Sequence, residues 1–221
     1  MKRVYVICEG FTEHDFVHEL LIPHFSTRNI FLFPRLLGMD GHKGGRVNNQ
    51  RVLDDISILL NDSTAYCTTF FDFYGLPNSF FGKIDANSVQ LPEEKAQKIC
   101  LALKQAVKPD KARRFIPYIQ MYEFEGLLFS DPQKLAKGVF QPQIAGKLQI
   151  IRDDKRFNTP EHINDSPFTA PSKRIQAIMD VYEKRTHGIL AALEIGLPIM
   201  RQECPLFNAW LNQLEQLPAL E

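Results

Sequence analysis

Short apolar runs that each end on an acidic residue constrain this chain more than any other feature. Val4-Tyr5-Val6-Ile7-Cys8 stops at Glu9-Gly10, and the β-branched and aromatic run from Ala65 to Phe71 stops at Asp72. A third run, Phe115 to Met121, leads into Tyr122-Glu123-Phe124-Glu125-Gly126. Continuous apolar runs of this length are expected of strands covered on both faces, as in a parallel sheet. Ile30 to Leu37 is a further run, in which Pro34 predicts an edge or bulged strand, and Pro117 weakens the third run for the same reason.

Between the runs the period becomes helical. Thr12 with an acid three residues later resembles a capping box and predicts a helix over 13–21, with Phe16, Val17, Leu20 and Leu21 on one face and Pro23 limiting it. Val52, Ile56, Leu59 and Leu60 predict a helix over 49–61, and Ser79 to Gln90 reads as a polar loop. Pro92 opens a helix running to about Val107, with Ala96, Ile99, Cys100 and Leu103 inward, and Asp131-Pro132 starts another. Strand and helix thus alternate about four times, which predicts an α/β fold with a mainly parallel central sheet and helices on both faces.

After Gly138 the texture changes. Residues 141–171 are polar and proline-containing, so loops and short helices are expected. Pro171 to Arg185 predicts a helix with Ile175, Ile178, Met179 and Tyr182 on one face, and Cys204 to Leu217 a final amphipathic helix carrying Phe207, Trp210, Leu211 and Leu214. The expected organisation is an α/β core over 1–138 and a helical C-terminal extension over 139–221 packed on that core. Two hundred and twenty-one residues suit this, being about one and a half domains.

Composition excludes several classes. With 44% hydrophobic and 24% charged residues the chain can bury a core, so disorder is not its main theme. No stretch approaches the roughly 18 uninterrupted apolar residues of a membrane span. The apolar run after the basic start is too short for a signal peptide, and a cytoplasmic location is expected. Basic and acidic residues balance at 26 each, so nucleic acid would need a local basic patch, a divalent metal or a partner rather than a broad field. Cys8, Cys67, Cys100 and Cys204 match no zinc spacing and read as buried free thiols.

Ligands of an open α/β sheet bind beyond the carboxyl ends of its strands, where Glu9, Asp72, Glu123 and Glu125 fall. Glu13, one helical turn beyond Glu9, can face the same crevice. Hard divalent cations take oxygen ligands, and carboxylates from separate strands would supply a preformed cluster. Each acid also has a plainer reading. Glu13 suits the positive end of its helix, Asp72 a turn, and Glu123 or Glu125 a solvated loop. At three successive strand ends, however, acids massed without a cation would repel one another.

Two basic segments are candidate phosphate sites. His42-Lys43-Gly44-Gly45-Arg46 combines glycines for close approach with Lys43 and Arg46, without being a Walker motif. Pro171-Ser172-Lys173-Arg174 opens a helix, where amides and the Lys173 and Arg174 side chains can meet an anion. His14 and His18 stand one turn apart but lack a third ligand, so a solvated face is preferred over a metal. The patch Phe70-Phe71-Phe73-Tyr74 reads as core, with Phe73 or Tyr74 a candidate base-stacking surface, and Phe80-Phe81 a loop pair.

Glu9-Gly10-Phe11-Thr12-Glu13 after an apolar strand resembles the Glu-Gly-x-Ser/Thr-Glu opening of TOPRIM domains in overcoming-lysogenization-defect (OLD) nucleases. Asp72 resembles the first acid of the TOPRIM Asp-x-Asp motif, whose second aspartate falls here on Tyr74. The strings TTFFDFYGLP, YEFEGLLFSDP and APSKR also resemble a TOPRIM-like bacterial family known only as a domain of unknown function, often encoded beside an OLD-like or SMC-like ATPase. The resemblance implies a TOPRIM-like fold and phosphodiester chemistry on nucleic acid, dependent on Mg2+ or Mn2+, in an anti-phage defence setting. Glu9 would be metal ligand or general acid/base, with Glu13 and Asp72 as metal ligands. Glu125 or Glu123 would replace the oxygen missing at Tyr74; strand alternation, pointing one of the pair away, favours Glu125. Lys173 would stabilise charge on the transferring phosphate. Another reading is a catalytically silent TOPRIM-like module that binds an ATPase partner. Tyr74 and the zero net charge favour it, and it predicts an apolar surface patch around Phe207 and Trp210.

Overall fold

The computed structural model describes residues 1–38, 47–164 and 166–220. Strand β1 (Lys2–Cys8) runs into α1 (Phe11–Phe16), a π turn over Val17–Leu21 and α2 (Ile22–Ser26). Next come β2 (Ile30–Leu36), α3 (Asn49–Leu59), β3 (Ala65–Asp72), α4 (Lys83–Asn87), α5 (Pro92–Ala106), α6 (Pro109–Ala112), β4 (Phe115–Ile116) and β5 (Ile119–Gln120). A 3-10 segment over Phe124–Ser130 leads to α7 (Pro132–Gly138), α8 (Ala145–Arg152), α9 (Pro171–Gln176), α10 (Lys184–Ile195), α11 (Leu197–Glu203) and α12 (Pro205–Glu215).

The sheet is parallel in every pairing, in the order β2-β1-β3-β4, with β5 taking over beside β3 where β4 leaves off. Side chains alternate across it as the pleat requires. Val4, Val6, Cys8, Tyr66 and Phe70 face a core shared with α1, α2 and the C-terminal helices, including Phe16, Leu135, Ala192 and Phe207. Ile7, Cys67, Phe71 and Phe115 face a second core against α3 and α5, with Val52, Ile56, Ile99 and Leu103. Both faces of the sheet are therefore covered by helices, and the C-terminal helices share a core with β1 and β3.

Pro34 sits on the edge strand β2, paired with Val6 without a bulge. Pro117 divides the expected third strand into β4 and β5. Threonines of β3 repair the gap: Thr69 Oγ1 accepts from Tyr118 N–H (3.0 Å) and donates to Tyr118 O (2.9 Å), and Thr68 Oγ1 donates to Ile116 O.

Several expectations need correction. The first helix starts at Phe11 behind Gly10 rather than at Glu13 behind Thr12. Ser79 to Gln90 is not all loop, since it carries α4 with Lys83 and Ala86 buried. Pro23 does not limit the first helix, which continues to Ser26. The π turn, closed by Ile22 N–H on Val17 O, opens the register just where proline would clash in an α-helix. The single helix expected over 171–185 is two: α9 ends at Gln176 and α10 starts anew at Lys184, with Ile175, Met179 and Tyr182 still buried. Finally, Phe207 and Trp210 form no surface patch. Both are buried, and Trp210 stacks on Tyr118 (4.3 Å between centroids) while its Nε1–H donates to Thr68 Oγ1 (2.8 Å). Cys8, Cys67 and Cys204 are buried free thiols and Cys100 is partly buried. No helix among the described residues is long and apolar enough to cross a membrane.

Candidate functional site

The carboxyl ends of β1 and β3 lie side by side, with Cys8 opposite Phe70, and the chain leaves each on an acid. Asp72 N–H donates to Glu9 Oε2 at 3.2 Å. Glu9 lies so close to Gly75 that a Cβ there would stand 2.1 Å from Glu9 Oε1, so any side chain at 75 would displace the Glu9 carboxylate. Glu13 turns back from α1 to accept from Gly10 N–H at 2.9 Å and is buried. The capping box expected at Thr12 is formed instead by Gly10 and Glu13.

The acids of the third segment, Glu123 and Glu125, arrive differently from the strand geometry expected. Tyr122 adopts φ 60°, a left-handed conformation costly for a bulky residue. Its carbonyl accepts from Tyr74 N–H (3.0 Å), and the two rings lie 5.5 Å apart. Beyond it Phe124–Ser130 winds as a 3-10 helix, so strand alternation does not apply and Glu123 is not turned away. Glu123 Oε1 and Glu125 Oε2 meet the same ammonium, Lys184 Nζ, at 3.3 and 3.4 Å. The other oxygen of Glu123 accepts from Ser172 N–H at 2.9 Å.

Burial sets the electrostatics. It pushes Glu9 up to about 7, with help from the charge of Glu13, and it raises Glu13 as well. Asp72 is raised well above the carboxylate range by burial and then by Glu13, Glu9 and Glu125. Glu125 rises to about 7 by burial, against the pull of Lys184. Burial would lower Lys184, but Glu125, Glu123 and Asp72 outweigh it and raise the ammonium's affinity for its proton.

A second lysine lies nearby. Lys83 is buried, donates to Phe73 O and sits 3.0 Å above the centre of the Phe73 ring. Burial, then the charge of Lys95, lowers it to about 7. Phe73 is therefore covered rather than open to a base.

The donor set consists of carboxylate oxygens, the chemistry that hard divalent cations select. Among the described residues Asp72 Oδ1 is buried without a hydrogen-bond partner, and the buried Tyr182 hydroxyl lies beside Glu125. That orphaned oxygen fits a cation. Among the described residues, however, no three His, Cys, Asp or Glu side chains are arranged to hold a metal ion. A cation held here would need the carboxylates to draw together and Lys184 to release them.

The remaining candidates have other partners. Lys173 is exposed and donates to Gln176 (3.1 Å), and Arg174 donates to Thr169 O (2.7 Å) and covers Phe157. The amide at the start of α9 that was expected to meet an anion is taken by Glu123. Lys43 and Arg46 fall outside the described residues. His14 and His18 each pair with the acid next in sequence, Asp15 and Glu19, rather than with each other. Phe80 is buried against Phe71.

Lys184 and Lys83 are the site residues that sequence reading missed. Lys184 was hidden within one continuous expected helix, and the break before it, over residues 177–183, contains neither glycine nor proline to signal it. Lys83 stood in a loop of no evident period.

A family model described as a domain of unknown function, DUF4276, matches residues 8–215. The chain belongs to the DUF4276 family. The matched span runs from the last residue of β1 to the last of α12, so every crevice acid and both lysines lie inside it. No curated protein and no solved structure matches the chain.

Proposed function

We propose that the crevice is a divalent-cation site for phosphodiester hydrolysis, which would make this DUF4276 protein a nuclease of the TOPRIM type. One observation carries the reading: Glu9, Glu13, Asp72 and Glu125 converge beyond adjacent parallel strands, each with its proton affinity raised. These four, with Glu123 beside them, would hold magnesium or manganese, which supplies Lewis acidity toward a phosphodiester. Glu9, brought to about 7, suits proton transfer near neutral pH. Lys184 takes the part that sequence assigned to Lys173, an ammonium able to face phosphate charge when its carboxylates turn to a cation. The proposed setting is cytoplasmic anti-phage defence beside an OLD-like or SMC-like ATPase, and it rests on the sequence resemblance alone.

Calorimetric titration of manganese tests the site. Sub-millimolar binding by the wild type, lost in a Glu9→Gln plus Asp72→Asn variant, is the expected result; absence of binding in both would overturn it. The silent-module reading has its own support, because Lys184 already balances Glu123 and Glu125 and Tyr74 stands at the second TOPRIM aspartate. It predicts the negative titration.

A further inference from the structure

We infer that the mouth of the crevice carries a base-stacking platform, Phe11 with Arg185, and that the nucleic acid taken there is single-stranded. The inference rests on the phosphodiesterase reading. Phe11 opens α1, two residues from both Glu9 and Glu13, and keeps half its surface in solvent (50% exposed). Among the described residues it joins neither core.

The ring is nonetheless held. The Arg185 guanidinium lies 4.7 Å from its centroid, and Arg185 Nε donates to Asp15 Oδ2 at 2.5 Å, one turn along α1 from Phe11. Ring, guanidinium and carboxylate thus bridge α1 to the start of α10. Arg185 follows Lys184 directly and Phe11 lies two residues from both Glu9 and Glu13, so the bridge stands within two residues of the crevice groups on each segment.

A planar cation over an exposed ring, fixed by a carboxylate, offers a flat surface to another π system. Unpaired bases stack on such surfaces whatever their sequence, whereas a duplex keeps its base faces hidden inside the helix. Charge points the same way. Asp15 offsets Arg185, and the whole chain balances 26 basic against 26 acidic residues, so affinity drawn from phosphate contacts alone would be weak. Stacking is the interaction this mouth is built to supply.

The test is fluorescence binding of oligonucleotides carrying one 2-aminopurine, as single-stranded DNA, single-stranded RNA and duplex DNA, with calcium replacing magnesium to suppress hydrolysis. Wild-type protein should quench the single strands and bind one or both at least tenfold more tightly than the duplex. Phe11→Ala should lose roughly tenfold in affinity, Phe11→Trp should retain it, and Phe140→Ala, at an exposed aromatic between α7 and α8, should match wild type. Thermal melts confirm that each variant folds. Undiminished binding by Phe11→Ala, or equal binding of duplex, overturns the inference and leaves the phosphodiesterase reading standing. Failure of the wild type to bind any of the three overturns both.

Discussion

Gly75 and Lys184 show how single positions govern this site. The Glu9 carboxylate occupies the space that a side chain at position 75 would need, so Gly75→Ala should push Glu9 out of the crevice. We expect a stability loss of about 1–3 kcal/mol by overpacking and at least a tenfold weaker manganese titration; an unchanged titration would show that Glu9 is not a ligand. Lys184 offsets two carboxylates, one of them Glu125, whose affinity for its proton reaches about 7. Lys184→Met should cost about 1 kcal/mol at pH 8, because the lysine side chain is 43% exposed and partly screened. At pH 5.5, with Glu125 protonated, urea denaturation should reveal a smaller loss. Equal losses at both pH values would refute the coupling. At this scale Glu9, Glu13 and Asp72 were legible, because strand ends and helix starts are local patterns. Lys184 was not, since its partners lie about sixty residues away in sequence.

Proline placement separates the elements that read correctly from those that did not. Pro92 at a helix start and Pro34 on an edge strand follow from proline's fixed φ and missing N–H. Pro23 misled because a π turn reopened the helix around it, an adjustment fixed by packing of Phe16, Leu21 and Phe25 into the core rather than by local propensity. Pro117 is tolerated because Thr69 supplies the bonds that the ladder lacks. Thr69→Val keeps the shape and strands both backbone groups of Tyr118, which should cost about 2–4 kcal/mol in urea unfolding, with Thr69→Ser close to wild type. If valine were neutral, the repair would be incidental. Buried Glu161 acts similarly on α12, accepting from Leu206 and Phe207 N–H at 2.9 Å each and holding the helix whose Trp210 covers Thr68.

Across the whole molecule, buried carboxyl groups dictate the pH response. Glu9, Glu125 and Glu161 are each raised from 4.5 to about 7 by burial, so the folded state binds more protons than the unfolded state between those values. Stability therefore falls as pH rises from about 4.5 to 7. Lys83, lowered from 10.5 to about 7, has the opposite sign, and its contribution grows with pH above 7. Thermal melts without metal should decline from pH 5 to 7, and manganese should raise the melting temperature most at the upper end, where the acids are ionised. A flat profile, or a metal effect confined to low pH, would contradict the acidic-crevice reading. The sequence by itself determined the alternation of strand and helix, the parallel sheet with two covered faces, and the delivery of acids at strand ends. Those features depend on residue period and on interactions within one element. Only the tertiary structure decided that Glu123 and Glu125 share one lysine, that Lys83 lies buried over Phe73, and that Phe207 and Trp210 face inward. Each of those outcomes depends on contacts between segments far apart in the chain, which no local period encodes.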